Sequence, residues 1–343
     1  MSTLKVGGIR GVSASSDAIT VANDGTATGK FTNIPLKNLF INGALLISQR
    51  GDSYSSANAY MADRWYVFAT GSTSSRLTTS PPSGFTHYIR FPSTSNSVIF
   101  SQQIELDLQG KAGRFAGKTV TVSWYARSES SNKMYVDAAF KNASGGGDYT
   151  TIVSGSGSAQ DITSSWARYS QTFTISVDPH ANNKCFSIMI RTPSSGSGST
   201  GTLELTGFQA EFGSVATDFE FRPIAAELVL CQRYYQQISA STLMLGASNG
   251  SSQVGNLTIP VAVPMRASPS IASGITYHAW HGDNDGQNNN GTALVVANFD
   301  TTANPKESML MQGTLNGFSS LTDNRVAGVT PNNNTPIKLD AEL

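Results

Sequence analysis

Between Thr202 and Gln237 the period of the hydrophobic pattern changes, and that change divides the chain. Phe208, Ala210 and Phe212 alternate as in a half-buried strand, Gly213-Ser214 supplies a turn, Phe219 and Phe221 alternate again, and Pro223 stops the run. Leu228, Leu230, Cys231, Tyr234, Tyr235 and Ile238 then recur at steps of three and four, which predicts a helix over 225–238. Its apolar stripe is too broad for a lone surface helix. Leu228, Tyr234 and Tyr235 are therefore expected either at contacts between copies near a threefold axis or buried between units of one chain, and both readings stay open.

Upstream, strand signals recur at the spacing of a β-sandwich: Leu39–Ser48, Trp65–Thr70, Thr86–Phe91, Val98–Leu106, Thr119–Arg127, Lys133–Phe140, Trp166–Ile175, Cys185–Arg191 and Thr202–Phe212. Val120, Val122 and Trp124 fall on one face of their strand. Nine such runs with no helix between them predict an all-β jelly roll of eight to nine strands. Strand patterns return after residue 239, with a polar hairpin at 282–291, and predict a second β-sandwich or barrel-like unit. The resulting map is an extended segment over 1–37, a jelly roll over 38–224, a linker helix over 225–238 and a β domain over 239–343. The extended segment carries too few large apolar residues to fold alone, so it is expected to attach to a partner, to intertwine with neighbouring subunits, or to be a flexible tail. The Asn/Pro-rich end, 330–343, is expected to be a strand on a neighbour or a mobile tail.

Of 343 residues, 23 are basic and 23 acidic, and no basic run occurs. Phosphate neutralisation needs a surplus of Lys and Arg on some face, so nucleic acid is not an expected partner. No segment reaches the roughly 18 apolar residues of a membrane helix, and the N-terminus lacks a signal pattern, so no membrane insertion is expected and synthesis is placed in a cytoplasm. Cys185 and Cys231 sit far apart in apolar settings and read as buried free thiols.

Three motif groups carry a resemblance. They are Asn38-Leu39-Phe40-Ile41-Asn42-Gly43 with Gln49-Arg50-Gly51 and Asp63-Arg64-Trp65; Phe208-Gln209-Ala210-Glu211-Phe212-Gly213 with 216–223 and 227–235; and 263–271, VPMRASPSI. In this order, over residues 38 to 275, they resemble bacteriophage tail-fibre and adhesin proteins with a jelly roll similar to carbohydrate-binding modules. The resemblance implies a structural virion protein located in the tail and assembled in the host cytoplasm. It further implies a homotrimer, other tail or baseplate proteins as partners, host surface polysaccharide as ligand, and a possible structural calcium. A capsid decoration protein that stabilises the head, and a surface-polysaccharide hydrolase, are the alternatives.

Sugar recognition uses aromatic faces for C–H surfaces and planar polar groups for hydroxyl pairs. Tyr54, Tyr60, Trp65, Tyr88, Tyr135, Tyr149 and Trp166 are the available rings, each more commonly core or rim packing. Tyr149 with Asp148, in a Gly-rich loop, and Tyr277, Trp280 and His281, beside the polar hairpin, are the expected ligand contacts. His278 and His281 point apart on a strand, which disfavours zinc. Calcium would draw on Glu105, Asp107, Glu211 and Asp218, although their spacing fixes no site. No nucleophile elbow, metalloprotease helix motif or catalytic triad occurs, and Glu105, Glu204, Glu211 and Glu220 offer many carboxylate pairs without selecting one. The protein is therefore expected not to be an enzyme.

Overall fold

The computed structural model describes residues 7–10, 19–21, 27–29, 36–54, 58–69, 73–92, 98–106, 115–130, 132–142, 149–180, 182–193, 201–249, 252–271, 275–281, 289–291, 293–298, 310–318, 321, 325–331 and 335–342. Strands β1 (Gly8–Ile9), β2 (Ile19–Val21) and β3 (Ala27–Gly29) form a small antiparallel sheet. Then come β4 (Ser53–Tyr54), β5 (Ala59–Tyr60), β6 (Tyr66–Ala69), β7 (Ser74–Leu77), β8 (Tyr88–Phe91), β9 (Val98–Glu105), β10 (Thr119–Ser128), β11 (Asn132–Lys141), β12 (Tyr149–Ser154), β13 (Gln160–Ile162), β14 (Ala167–Thr174), β15 (Cys185–Arg191) and β16 (Leu203–Phe212). They build two antiparallel sheets, ordered β14-β10-β16-β8-β7-β4 and β12-β11-β15-β9-β6-β5, with β13 beside β11. From β8 to β11, and again from β14 to β16, successive strands change sheet, which gives the jelly roll.

Alternation explains the core. Val120, Val122, Trp124 and Ala126 of β10 face Val136, Ala138 and Phe140 of β11, and Phe186, Ile188 and Ile190 of β15 close the same layer. Trp65 is its hub, fully buried, stacked on Phe100 at 4.5 Å and tilted against Phe208 at 4.5 Å. Its indole N–H donates to the Asn42 carbonyl at 2.9 Å, so no buried donor is left over. Gly207 stands at a bulge where β16 shifts register against β10. It has φ +63°, and a Cβ there would lie 2.7 Å from the Phe85 and Tyr125 rings.

The expected strand over 39–48 is instead an irregular arch. Asn42 and Leu45 take left-handed backbone angles, and the Asn42 amide bonds the carbonyls of Ile47 and Asp63 and accepts from the Ile47 N–H. A short amide side chain that replaces ladder partners in this way competes with strand formation.

Helix α1 (Ile224–Gln232) begins after Pro223, whose fixed φ suits a helix start. It ends well short of 238. Residues 235–238 form β17 (Tyr235–Ile238), paired with β26 (Ile337–Asp340), so the linker-helix boundary needs correcting. Tyr235 and Ile238 fit a helical stripe and a strand ladder equally well, and the partner strand a hundred residues away decides. Strand β26 also corrects the expectation for the C-terminus: it pairs within its own chain. The remaining strands are β18 (Met244–Ser248), β19 (Gln253–Pro260), β20 (Ser270–Ile271), β21 (Tyr277–His281), β22 (Asn289–Gly291), β23 (Ala293–Asn298), β24 (Leu310–Asn316) and β25 (Val326–Pro331). They form sheets ordered β17-β26-β20 and β22-β21-β25-β18-β19-β24-β23 around a second core, which includes Met244, Leu257, Ile259, Tyr277 and Leu339. Both cysteines are free and buried. Among the described residues no helix is long and apolar enough to cross a membrane.

Candidate functional site

The sandwich offers two outer sheet faces. On the six-stranded sheet, much of the face is occupied by the chain's own return segment: Arg168 donates to the Thr217 carbonyl at 2.5 Å and to the Ser123 hydroxyl at 2.9 Å, and Phe85 packs on Tyr125, Phe219 and Phe221 at 5.0 to 5.2 Å. The rest holds a closed ion cluster. The Glu204 carboxylate, 3% exposed, binds Arg90 at 2.6 Å and also Arg127, whose guanidinium lies 5.0 Å from the Trp166 ring centre.

The seven-stranded face is built differently. Register places Tyr135, Arg191 and Ile99 in one row; Asp137, Met189, Ser101 and Tyr66 in the next; Ala139, Ser187 and Gln103 in a third; Lys141, Cys185 and Glu105 in a fourth. Residues directly paired across an antiparallel ladder point to the same side, and their neighbours along each strand belong to the core, so these rows face outward. Ala139 and Ser187 are each only 1% exposed, covered by the longer side chains around them, and the Lys141 ammonium reaches across their row to the Met189 sulfur at 3.8 Å. At one end the Arg191 guanidinium lies 5.5 Å from the Tyr135 ring centre and pairs with Asp137 at 3.2 Å, and Asp137 is itself held by the Gly155 N–H at 2.8 Å. Arg191 Nε is buried with no protein partner. Burial pushes the Tyr135 hydroxyl up, so at neutral pH it keeps its proton and can donate. Burial likewise lowers the Lys141 ammonium, beside Cys185. From β11 to β6 is three strand spacings, about 14 Å, which separates the strands that carry Tyr135 and Tyr66 on this face.

The expected ligand contacts are not brought together. Tyr149 belongs to β12, where its backbone pairs with Lys141; its side chain, and Asp148, lie outside the description. Tyr277 is a correction: it is 1% exposed inside the second core, with burial pushing its hydroxyl up to about 12, so it is no tip residue. Tyr277 and Ala279 share the inward side of β21, a placement that the polar hairpin next to them masked in the sequence. Trp280 and His281 are members of β21, but their side chains are outside the description.

The metal set does not converge either. Glu105 on β9 and Glu211 on β16 belong to different sheets, Asp107 is outside the described residues, and Asp218 is exposed. Among the described residues no group of three or more possible metal ligands assembles. Every one of the four glutamates considered for catalysis is held by protein donors. Glu105 takes Arg233 at 3.1 Å and the Tyr234 hydroxyl at 3.1 Å, and Glu211 takes the Thr217 N–H and hydroxyl. Glu220 accepts from the N–H groups of Leu36 and Asn38, and Glu204 is in its ion cluster.

The oligomerisation residues need the same revision. Tyr234 and Tyr235 are each 3% exposed within one chain, under the guanidiniums of Arg64 at 3.5 Å and Arg50 at 3.6 Å. Leu228 is half-buried, and the exposed apolar positions of this region are Phe221, Ile224 and Val229.

No family model matches the chain, and no curated protein matches it. Among solved structures it is similar to a CBM4 domain, at 18% identity and TM-score 0.30 over 50% of this chain and 98% of that one. It is also similar to the CBM22-1 xylan-binding domain from Paenibacillus barcinonensis Xyn10C, at 11% identity and TM-score 0.33 over 52% and 96%. A third likeness is to the enzymatically active domain of bacteriophage CBA120 tailspike protein 4, at 11% identity and TM-score 0.34 over 52% of this chain and 22% of that one. Likenesses this distant assign no ligand. The jelly roll rests on the strand order of this chain itself.

Proposed function

We propose that this protein binds a glycan along the outer face of the seven-stranded sheet, and that it does so as a homotrimeric tail-fibre or tail-tip adhesin of a bacteriophage. The observation that carries the binding reading is the Tyr135 ring beside the Arg191–Asp137 pair, whose Arg191 Nε is left without a protein partner. A ring edge offers C–H contact, and a guanidinium and a carboxylate offer paired hydrogen bonds to vicinal hydroxyls. Each sugar unit contributes little, and copies on one particle raise avidity. The virion reading is supported by the motif resemblance over 38 to 275, and the homotrimer by the uncovered apolar positions on α1.

Two measurements test this. A glycan array probed with the purified chain and with Arg191→Ala should give signals that the variant weakens; identical signals from both would overturn the sheet-face site. Immunogold labelling of particles should mark the tail, and gold over the head would replace the adhesin with a capsid decoration protein.

A further inference from the structure

Beyond the far end of β9, away from Tyr135 and Arg191, a cleft of about 210 Å³ opens between residues 36–41, β9 and the end of α1. Leu36, Leu39, Ile41, Ile104 and Leu230 give it an apolar wall. Arg64, Arg222 and Arg233 also border it, against one carboxylate, Glu105.

Two of these arginines are incompletely used. Arg64 is 1% exposed, bonds Glu342 and the Gln103 carbonyl, and leaves Nε without a protein partner. The Arg222 side chain is 7% exposed, bonds the carbonyls of Phe40 and Asn38 and the Glu227 carboxylate, and also leaves Nε unpartnered. Glu220, Glu227 and Glu342, which balance these cations, do not line the cleft, so it is bordered by three guanidiniums and one carboxylate. A buried, charged N–H donor without an acceptor is costly, and a carboxylate oxygen is the acceptor that matches it best. The volume gives room for a six-membered ring bearing a carboxylate.

We propose that this cleft is a binding site for a small carboxylate carried on a compact, C–H-rich ring. The ring lies against the leucine and isoleucine wall, and the carboxylate accepts from Arg64 and Arg222. The same chemistry has two sources, a uronate unit at the end of a polysaccharide or a free ring carboxylate. The cleft adjoins the sheet face, whose third and fourth rows supply its Gln103 and Glu105, and lies at the opposite end from Tyr135 and Arg191.

Calorimetric titration of the full chain with sodium glucuronate, cyclohexanecarboxylate and glucose tests it. At least one carboxylate should bind with a dissociation constant of about 1 mM or below, and glucose should not. Glucuronate alone points to the polysaccharide source and cyclohexanecarboxylate alone to the free acid. Leu36→Asp, at a rim position 70% exposed, places a like charge at the mouth, and Leu230→Trp fills the cleft. Each should weaken binding at least roughly tenfold with the melting temperature retained. Should Leu230→Trp unfold the chain, Leu36→Asp decides alone. No carboxylate binding up to about 20 mM, equal binding of glucose, or unchanged affinity in Leu36→Asp would overturn the site. Arg191→Ala, at the opposite end of the sheet face, should leave this titration unchanged, so failure of the sheet-face site and failure of the cleft are separately visible.

Discussion

The two outer faces of one sandwich have opposite uses. On the six-stranded sheet, large charged and aromatic side chains pair with one another and the chain folds back over them, leaving the Arg168 Nε buried without a protein partner. On the seven-stranded sheet, one central row is short, with Ala139 and Ser187, and Arg191 at the end keeps unused hydrogen-bonding capacity in its Nε. A face that spends its donors on itself gains stability. A face that keeps them can recognise something else.

The largest expected effect that could break this contrast is on the closed face. Glu204→Ala should destabilise the fold by about 2 kcal/mol, less than for a fully buried pair because Arg90 is 40% exposed and solvent screens it. Urea denaturation reads this, and glycan binding should persist. Loss of binding at unchanged stability would reverse the assignment of the faces. Next in size, Arg191→Ala should weaken glycan binding roughly tenfold, about 1.4 kcal/mol, with stability changed by less than that; a titration with an array-positive glycan decides.

A pH series sharpens the description of the open face. Burial raises the Cys185 thiol from 9.0 to about 11, so its stabilising contribution is complete below pH 9 and is lost as pH rises through about 11. Lys141, paired across from it and lowered from 10.5, works in the opposite sense, gaining stability as its ammonium deprotonates. The two should partly offset each other in the native protein. Lys141→Met should then expose a fall in stability between pH 9 and 11, measured by urea midpoints, and a flat profile in that variant would show that Cys185 is not buried in solution. The smallest effect concerns calcium: because Glu105 and Glu211 are held by protein donors on separate sheets, chelation with EGTA should move the melting temperature by less than about 1 °C.

The motifs that carry the resemblance mark the architecture and no ligand. Asn38 bonds the backbone of Phe208 and Ala210; the Asn42 N–H meets Glu227; Gln49 and Arg50 hold Asp63; Arg64 meets Glu342; and the Arg233 carbonyl receives the Arg266 N–H. Segments far apart in sequence thus close on one junction between the jelly roll and the second β unit. This is why the resemblance was readable residue by residue while the sheet-face site was not. Tyr135, Ala139, Ser187 and Arg191 lie on two strands whose alternation reads as ordinary sandwich pattern, and only their register sets them side by side.

The sequence by itself determined eight of its nine expected sandwich strands, the core side of β10, the helix start at Pro223 and the buried thiols, because these follow from local periodicity and side-chain chemistry. Tertiary structure decided the rest. It ended α1 early by offering β26 as a partner for Tyr235–Ile238, turned 39–48 into an arch around Asn42, and buried Tyr277, Tyr234 and Tyr235. It also settled which polar groups were spent and which were left over. Pairing partners and neighbours across a sheet are set by long-range closure, whose free energy is not written in any window of a dozen residues.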